Sequence, residues 1–523
     1  MSGLLRSTAL VSAMTFVSRI LGLLRDMVVA RAFGAGVGAD AFFVAFRIPN
    51  LLRRLFAEGA FSQAFVPVLS EYKTKRSHEE VQDLLDHTSG ALGGVLFLVT
   101  AIGILAAPLL VWIFAPGFAD KPDKFALTAQ MLQLTFPYIL FISLTALAGG
   151  VLNSYGRFAV PAFTPVLLNL CMIGAAVWLA PHMEQPVVAL AWGVLIAGMA
   201  QLAFQLPFLW RLRLLPRPRW RRGHEGVRKI IGLMLPGIFG SSVAQINLLI
   251  DTLIASFLVT GSVSWLYYSD RLVEFPLGVF GVALATVILP RLSQQHAATD
   301  TAEHSRTLDW ALRMTVLVGS PATVALVILA GPMLVTLFQY GEFSAFDVEM
   351  STLSLMAYAL GLLGFILVKV LAAAFFSRQD ARTPVRIAVI AMGANLVLNG
   401  IFVVPMVMFD IPGPHAGLVL ATALAAFINA GLLLRALRRT GDFHASAGWM
   451  GFVLRVVIAN IAMGVVLFFL VGDIEVWQAH AWPARARDLM VCVCAGVGTY
   501  FAVAWLAGLR WHHFAAPGAR GAR

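Results

Sequence analysis

Hydrophobic positions along the chain form long apolar stretches separated by short polar loops. Each stretch approaches or exceeds the roughly 20 residues that a helix needs to cross a bilayer. The ranges are 7–32, 40–70, 85–115, 124–152, 160–180, 187–212, 229–259, 263–292, 309–340, 349–377, 384–408, 415–436, 449–471 and 487–509. The pattern therefore predicts an all-α polytopic membrane protein with about 14 transmembrane helices.

Composition and charge agree with this prediction. The chain has 523 residues, of which 59% are hydrophobic and 12% charged, far more apolar than a soluble fold needs. Its net charge of +11 could suggest a nucleic-acid partner, but the cations gather in alternate short loops, as the positive-inside rule describes. We therefore expect no nucleic-acid partner, and we expect both termini to be cytoplasmic. Two outward loops depart from the alternation, one with Lys121 and Lys124, the other with Arg485 and Arg487.

An internal duplication is visible at a constant offset of 223 residues. The matching pairs are Gly38 with Gly261, Pro67 with Pro290, Ser70 with Ser293, Ser154 with Ser377, and Pro161 with Pro384. Glycine and proline mark the places where helices bend or end, so such matches indicate a repeated helical unit. We predict two six-helix halves, 1–222 and 223–440, with two additional helices and a cytoplasmic tail in 441–523.

Charged residues interrupt the first two apolar ranges. They are Arg19, Arg25, Asp26, Arg47, Arg53, Arg54 and Glu58. A charge at bilayer depth costs about 2.5–3.5 kcal/mol on insertion scales, so these side chains are expected to face a watery cavity, a partner charge or a bound anion. Arginines outnumber the carboxylates, which favours an anion.

The second half carries a related charged group. The duplication places Asp270 opposite Arg47, and Arg271 and Glu274 follow it on the same helix. We hypothesise a central cavity lined by arginines from both halves, namely Arg19, Arg25, Arg53 and Arg271. The alternative is internal pairing: Arg19 or Arg25 with Asp26, Arg54 with Glu58, and Arg271 with Glu274.

The preference for arginine points to the ligand class. A guanidinium group donates two parallel hydrogen bonds to a phosphate, which an ammonium group cannot do. A lipid carrying a phosphate or diphosphate head group would need a cavity with a side opening for its tail. No nucleotide-binding or metalloprotease motif occurs, so we expect a protein that is not an enzyme, with no cofactor and no metal site.

Two further carboxylates are candidates for an ion site. Asp251 follows a polar run in the seventh range, and Asp380 lies in the loop after the tenth. A cation site is possible at Asp251, although hydrogen bonding between helices explains it more simply. Asp380 is more simply a contact at a helix end.

The charged runs also carry a resemblance to a known family. SRILGLLRDMVVARAFGAGVGADAFFVAFRIPNLLRRLFAEGAFSQ and YYSDRLVEFPLGVFGVALATVILP closely resemble the MurJ (MviN) lipid II flippases of bacteria. That family belongs to the multidrug/oligosaccharidyl-lipid/polysaccharide exporter superfamily, whose two six-helix halves agree with the duplication. The resemblance implies movement of lipid II, an undecaprenyl-diphosphate-linked precursor, to the outer leaflet of the inner membrane for peptidoglycan synthesis and cell shape.

The resemblance also assigns residues. The central arginines of the family match Arg19, Arg25, Arg53 and Arg271, and further important positions match Ser18, Asp40, Ser264 and Glu274. The last two helices would hold the prenyl tail. Some relatives bind sodium between the seventh and eleventh helices, where Asp251 and Asp380 could contribute. Phe376 and Leu396 supply no ligand there, so the resemblance does not favour sodium coupling.

Alternating access is the expected mechanism, driven by the membrane potential or an ion gradient. Cell-wall synthesis proteins and membrane lipids are possible partners. Four other functions stay open: a flippase for another prenyl-diphosphate-linked oligosaccharide of the O-antigen type, a multidrug extruder, a membrane glycosyltransferase, and a scaffold for cell-wall enzymes. A scaffold would not need charged residues at bilayer depth. A cationic drug would need a carboxylate-rich cavity, and a glycosyltransferase would need a catalytic carboxylate and longer outward loops.

Overall fold

The computed structural model describes residues 2–54, 61–220, 223–298 and 300–509, with the side chains of 2–9 and 235–244 outside the description. Every regular element in these ranges is a helix. The α-helices are α1 (Ser2–Phe33), α2 (Val37–Arg53), α3 (Ser62–Lys75), α4 (His78–Leu105), α5 (Ala107–Phe114), α6 (Pro122–Thr135), α7 (Tyr138–Ser154), α8 (Ala159–Gly174), α9 (Val188–Arg211), α10 (Glu225–Ser256), α11 (Ser262–Pro276), α12 (Ala283–Ala297), α13 (Thr301–Phe338), α14 (Ala345–Phe376), α15 (Arg382–Met408), α16 (Pro414–Arg439), α17 (Trp449–Val471), α18 (Ile474–Ala479) and α19 (Trp482–Leu506). The predicted all-α fold class is confirmed.

Helical residues occur in each of the predicted apolar ranges, and several ranges contain two helices instead of one. Proline stands at some of these breaks, because it cannot donate the backbone hydrogen bond that continues a helix. Pro108 lies in the first turn of α5, and Pro137 immediately precedes α7. In the described chain, 11 helices are long and apolar enough to cross a membrane. The number of about 14 crossings therefore stays a prediction.

The chain divides into two compact units, residues 1–264 and 265–523. In the first unit α1 packs on α8, α2 on α6, and α9 on both α7 and α8. In the second unit α14 packs between α13 and α16, while α17 and α19 pack together and both contact α13. Helix α10 packs with α3 and α4, so it belongs to the first unit, and the boundary between the units falls after it. These units differ in their bounds from the two halves, 1–222 and 223–440, that the duplication predicts. That division into halves stays a prediction.

An apolar cluster fixes the first turns of α10 within the first unit. Ile230 of α10 is buried with Phe65 and Leu69 of α3, Leu84 of α4 and Leu152 of α7. These side chains come from helices on both sides of the linker 212–224, whose ends are thereby held together. Burial of each such side chain contributes about 1.5–3 kcal/mol.

Residues 217–219 of the linker lie along one face of α4. The backbone N–H of Arg217 donates to Oδ1 of buried Asp86 at 2.8 Å, and that of Arg219 donates to the Asp86 carbonyl at 3.0 Å. Gly90, one turn further along α4, permits this approach, since a Cβ there would lie 2.1 Å from the Arg219 carbonyl oxygen. Glycine is therefore required at position 90, because the backbones of α4 and of the linker lie too close for a side chain.

Gly90→Ala is expected to lower the stability of the full chain, because the new methyl group must displace the linker backbone from α4. Alanine is the better helix former by about 0.8–1 kcal/mol, and the clash must outweigh that gain. Thermal unfolding of the purified protein in nanodiscs measures the balance.

Gly93→Ala is the matched control on the same helix. A Cβ at Gly93 meets nothing within 4 Å, so only the gain in helix propensity remains and the melting temperature should rise slightly. If the two variants melted at the same temperature, the linker contact at Gly90 would be unimportant.

Candidate functional site: charged residues within the apolar helices

Asp40 is the centre of a buried polar cluster in the first unit. Its carboxylate lies 2.7 Å from Nζ of Lys124 and accepts hydrogen bonds from the backbone N–H groups of Gly261 and Ser264, at 2.8 and 2.9 Å. The Ser264 hydroxyl donates to Asp40 Oδ1 as well, at 2.7 Å. Asp40, Lys124 and Ser264 are 1%, 3% and 0% exposed. The cluster therefore joins α2 and α6 to the turn between α10 and α11.

Local structure at three helix ends creates this cluster. Asp40 and Lys124 lie in the first turns of α2 and α6, and Ser264 lies in the first turn of α11. Gly261 has φ +102°, a left-handed conformation that glycine adopts without strain, and it forms the turn before α11. The first N–H groups of a helix have no partner inside the helix, so an anion there is stabilised. Asp40 is the anion that caps α11.

Arg25 and Asp26 form a second buried group, on α1. Two nitrogens of the Arg25 guanidinium, Nε and Nη2, donate to Asp26 Oδ1 at 2.9 and 2.7 Å. A third, Nη1, donates to Oδ1 of Asn169 on α8 at 3.2 Å, and the Asn169 amide donates to the Ser18 carbonyl at 3.0 Å. Arg25 and Asp26 are 4% and 2% exposed. The structure thus brings Ser18, Arg25 and Asp26 together through an asparagine.

The other cations of the first two helices are more open. Arg19 is exposed on α1. Arg53 is half-buried at the end of α2, where its Nε donates to Oδ1 of Asn50 at 2.9 Å. Arg47 donates to the hydroxyl of Thr252 on α10. Glu58 lies outside the described residues, so its predicted pairing with Arg54 stays a prediction.

Arg271 lies in the second unit and has an acidic partner. Its Nη1 donates to Glu274 Oε2 at 2.7 Å, and its Nη2 to the Tyr267 hydroxyl at 3.2 Å. The side chains of Arg271 and Glu274 are 32% and 42% exposed, so the surrounding protein encloses this pair only in part. Asp270 is half-buried on the same helix.

The two candidates for an ion site belong to different units. Asp251 is half-buried on α10 in the first unit. Asp380 precedes α15 in the second unit, and its Oδ1 accepts a hydrogen bond from the Thr383 backbone N–H at 3.0 Å. Hydrogen bonds from the side chain and backbone of Thr383 lower the pKa of Asp380. These contacts agree with the reading of Asp380 as a contact at a helix end.

The internal pairing that the sequence left as an alternative is thus present for two arginines, Arg25 with Asp26 and Arg271 with Glu274. Arg19 is exposed and Arg53 is half-buried. A chamber that gathers arginines from both units stays a prediction.

Sequence reasoning missed two members of these clusters. Lys124 was counted as a loop cation that departs from the alternation of charge, although it lies buried at the start of α6. Its departure from the alternation of loop charge was the signal that could have identified Lys124 as a buried residue. Asn169 gave no signal, because a neutral amide in an apolar helix does not disturb the charge pattern.

Long apolar helices with charged groups buried among them define a polytopic membrane protein. One solved structure, a multidrug resistance MATE family transporter of the MOP superfamily, matches at a TM-score of 0.67, covering 83% of this chain and 98% of its own. At 13% identity this likeness shows the fold alone.

The particular family follows from closer comparisons. The family model described as "Lipid II flippase MurJ" matches residues 29–484. A MurJ relative from Vibrio cholerae is 48% identical over 514 residues, which is 97% of either chain. A solved structure titled "Lipid II flippase MurJ, inward closed conformation" matches at a TM-score of 0.78 and 26% identity, covering 95% of this chain and 98% of that one. This chain belongs to the MurJ lipid II flippase family.

Asp40→Asn is expected to destabilise the protein strongly. The substitution leaves the Lys124 ammonium buried without its carboxylate, and breaking a buried pair costs about 3–5 kcal/mol. The measurement is the melting temperature of the purified chain in nanodiscs.

The double variant Asp40→Asn/Lys124→Met is the control. It removes both charges and should melt above the single variant, since no uncompensated charge remains. A single variant that melted with the wild type would show that Lys124 does not depend on Asp40.

Proposed function

We propose that this chain moves lipid II from the cytoplasmic to the periplasmic leaflet of the bacterial inner membrane. The observation that carries the proposal is a set of arginines within the apolar helices of a chain that belongs to the lipid II flippase family. Lipid II joins a diphosphate to a prenyl tail, and guanidinium groups are the donors that suit its phosphates.

The proposed architecture has fourteen crossings, in two six-helix halves, 1–222 and 223–440, with two further helices in 441–523 that hold the prenyl tail. Both termini are cytoplasmic. One observation supports a common side for three segments that are predicted to be periplasmic: the start of α2, the start of α6 and the turn before α11 all meet at Asp40. Loops on one side of the membrane should lie together in this way.

Alternating access is the proposed mechanism, and the Asp40 cluster is the proposed periplasmic closure. The cluster joins α2 and α6 of the first duplicated half to Gly261 and Ser264 of the second. On opening, Asp40 would release Gly261 and Ser264 while Lys124, in its own half, stays beside it. A charge that keeps its partner in both states avoids the cost of burial alone.

The arginines are proposed to divide the work of binding. Arg19, the most exposed of the four, receives the diphosphate first, and Arg53 takes part in the same step. Arg25 and Arg271 already hold the carboxylates of Asp26 and Glu274, so a phosphate must displace these partners. Exchange of the carboxylate for a phosphate keeps the guanidinium neutralised in both states, so this charge is never left buried alone.

The membrane potential is the proposed energy source, since the charge of the carrier changes when it binds an anion. One charge crossing 100 mV corresponds to about 2.3 kcal/mol. Sodium coupling through Asp251 and Asp380 is not part of the proposal, because Phe376 and Leu396 offer only exposed apolar side chains where a ligand would be needed.

Arg53→Gln is expected to slow the transfer of labelled lipid II in liposomes by roughly tenfold or more, which corresponds to about 1.4 kcal/mol of lost interaction. Arg19→Gln should act in the same direction. Glutamine keeps a polar side chain of moderate length but loses the charge and the two parallel donors.

Arg54→Gln is the matched control, one residue away on the chain. Its effect should be small if Arg54 serves a structural pairing. Protein amounts in the liposomes must be equal. If transfer survives in Arg19→Gln, Arg53→Gln and Arg271→Gln, these arginines are not the binding site. If another prenyl-diphosphate-linked oligosaccharide is transferred in preference to lipid II, the result favours a flippase of the O-antigen type.

Ser264→Ala should shift the protein toward the outward-open state, because it removes one bond of the proposed closure. A bond worth about 0.5–1.5 kcal/mol changes the open population by roughly two- to tenfold. A cysteine placed at buried Ser262, in a chain whose three native cysteines are replaced, reports opening through its labelling by an impermeant maleimide.

Thr135→Ala is the control for that experiment. The Thr135 hydroxyl donates to the Ala45 carbonyl at 3.2 Å, a bond between α6 and α2 within one half. Its loss should leave labelling unchanged. Equal labelling of the two variants would argue against the Asp40 cluster as a closure.

A further inference from the structure

Three side chains of the kinds that bind metal ions meet at the start of α4 and the start of α10. They are Asp83 and His87, four residues apart on one face of α4, and His224, the residue before α10. One ligand atom from each lies within 4.8 Å of the others. The two imidazole rings stack with their centroids 4.8 Å apart, and both face the Asp83 carboxylate, at 3.3 Å for His87 and 3.2 Å for His224.

The surrounding chain holds these donors in place. Asp86 binds the linker at Arg217 and Arg219, and Gly90 lets its backbone lie against α4. Gly226, just after His224, packs so closely on Leu84 that a Cβ would lie 2.4 Å from that side chain. The His87 and His224 side chains are 8% and 12% exposed, while that of Asp83 is 47% exposed. Two donors are therefore fixed and one can adjust.

The nitrogens that face Asp83 are the ones available to a metal. For His87 this is Nδ1, which lies 3.3 Å from Asp83 Oδ1 and also 2.8 Å from the Asp83 carbonyl oxygen. A metal on His87 Nδ1 requires the proton on Nε2 and replaces the contact with that carbonyl. His224 Nδ1 accepts from the Val227 N–H at the long distance of 3.4 Å. A metal on His224 Nε2 requires the proton on Nδ1 and replaces only this weak cap.

We propose that Asp83, His87 and His224 bind a divalent transition metal of the zinc class on the cytoplasmic side. Two imidazoles and one carboxylate are borderline ligands that suit Zn²⁺, with bonds of about 2.0–2.2 Å, and the small closing movement comes from exposed Asp83. A cleft of about 320 Å³ lined by Tyr72, Arg76, Glu80 and Glu225 opens beside the cluster and admits the ion with its remaining water ligands.

The metal would act on the contact between the two duplicated halves. His224 lies at the end of the linker that joins them, and α4 belongs to the first half. The nearby ion pairs join α10 to α3 and to the residue that follows it, and they are exposed: Glu71 with Lys229, and Arg76 with Glu225. A metal bridge between α4 and α10 would hold these elements together more strongly than screened ion pairs do.

The test is zinc binding by the full chain in nanodiscs, purified with an affinity tag that contains no histidine. Elemental analysis after gel filtration should show one zinc ion per chain, and zinc should raise the melting temperature of the metal-free protein. Cobalt substituted for zinc should give the visible absorption of a four- or five-coordinate site with nitrogen ligands.

His224→Asn is the informative variant. Asparagine is among the best residues before a helix, so α10 keeps its cap while the metal ligand is lost. We expect affinity for zinc to fall at least tenfold and the thermal shift to vanish, with the metal-free melting temperature unchanged. His480→Gln is the matched control, because His480 also pairs with a carboxylate, Asp488 at 3.2 Å, but belongs to no triad of donors among the described residues.

Each outcome decides the proposal. One zinc ion bound by the wild type and His480→Gln but lost in His224→Asn and His87→Gln supports it. Zinc that is absent from the wild type, or bound equally by all four proteins, overturns it and leaves the cluster as a hydrogen-bonded histidine–carboxylate group. Lipid II transfer is not the readout, so the result is independent of the proposed function.

Discussion

A charge buried among apolar helices must be matched where it lies, and this requirement determines which helices stay together. Asp40 is matched by Lys124 and by the N–H groups that begin α11. Arg25 is matched by Asp26 and Asn169. In the second unit, buried Arg485 donates to backbone carbonyls, at 2.9 Å for Trp477 and 3.2 Å for Val335. Each of these three charges has partners of a different kind, and each set of contacts holds together helices that are distant in sequence.

The sequence was sufficient for the all-α fold class and for the apolar ranges in which the helices lie, because the length of an apolar stretch is a local property. It was insufficient for the partners of the charges. Lys124 lies 84 residues from Asp40, and Asn169 lies 144 from Arg25, so neither contact has a local pattern. The alternation of loop charge came nearest to predicting such a partner, because Lys124 departs from it. A cation that breaks the positive-inside pattern can be a buried partner.

The histidine cluster shows the same limit for metal ligands. Asp83 and His87 have helical spacing, but His224 joins them only because Asp86 and Gly90 hold the linker against α4. The expectation of no metal site rested on the lack of a local motif. Donors gathered by tertiary structure leave no such motif.

The contacts of α10 differ in strength at its two ends. Just beyond the end of α10, the Asp40 carboxylate binds Gly261 and Ser264. This carboxylate is buried, so water does not weaken its hydrogen bonds. At the start of α10, the ion pair between Glu71 and Lys229 has side chains 40% and 50% exposed, so it contributes little, and most of the attachment comes from apolar contacts such as those of Ile230. Apolar contacts lack the directionality of hydrogen bonds, and small sliding movements preserve much of their energy. A bound metal would remove this freedom at the cytoplasmic end, because coordination has a defined geometry. The Asp40 carboxylate beyond the end of α10 and the histidine cluster at its start would then provide directional contacts at both ends of this helix.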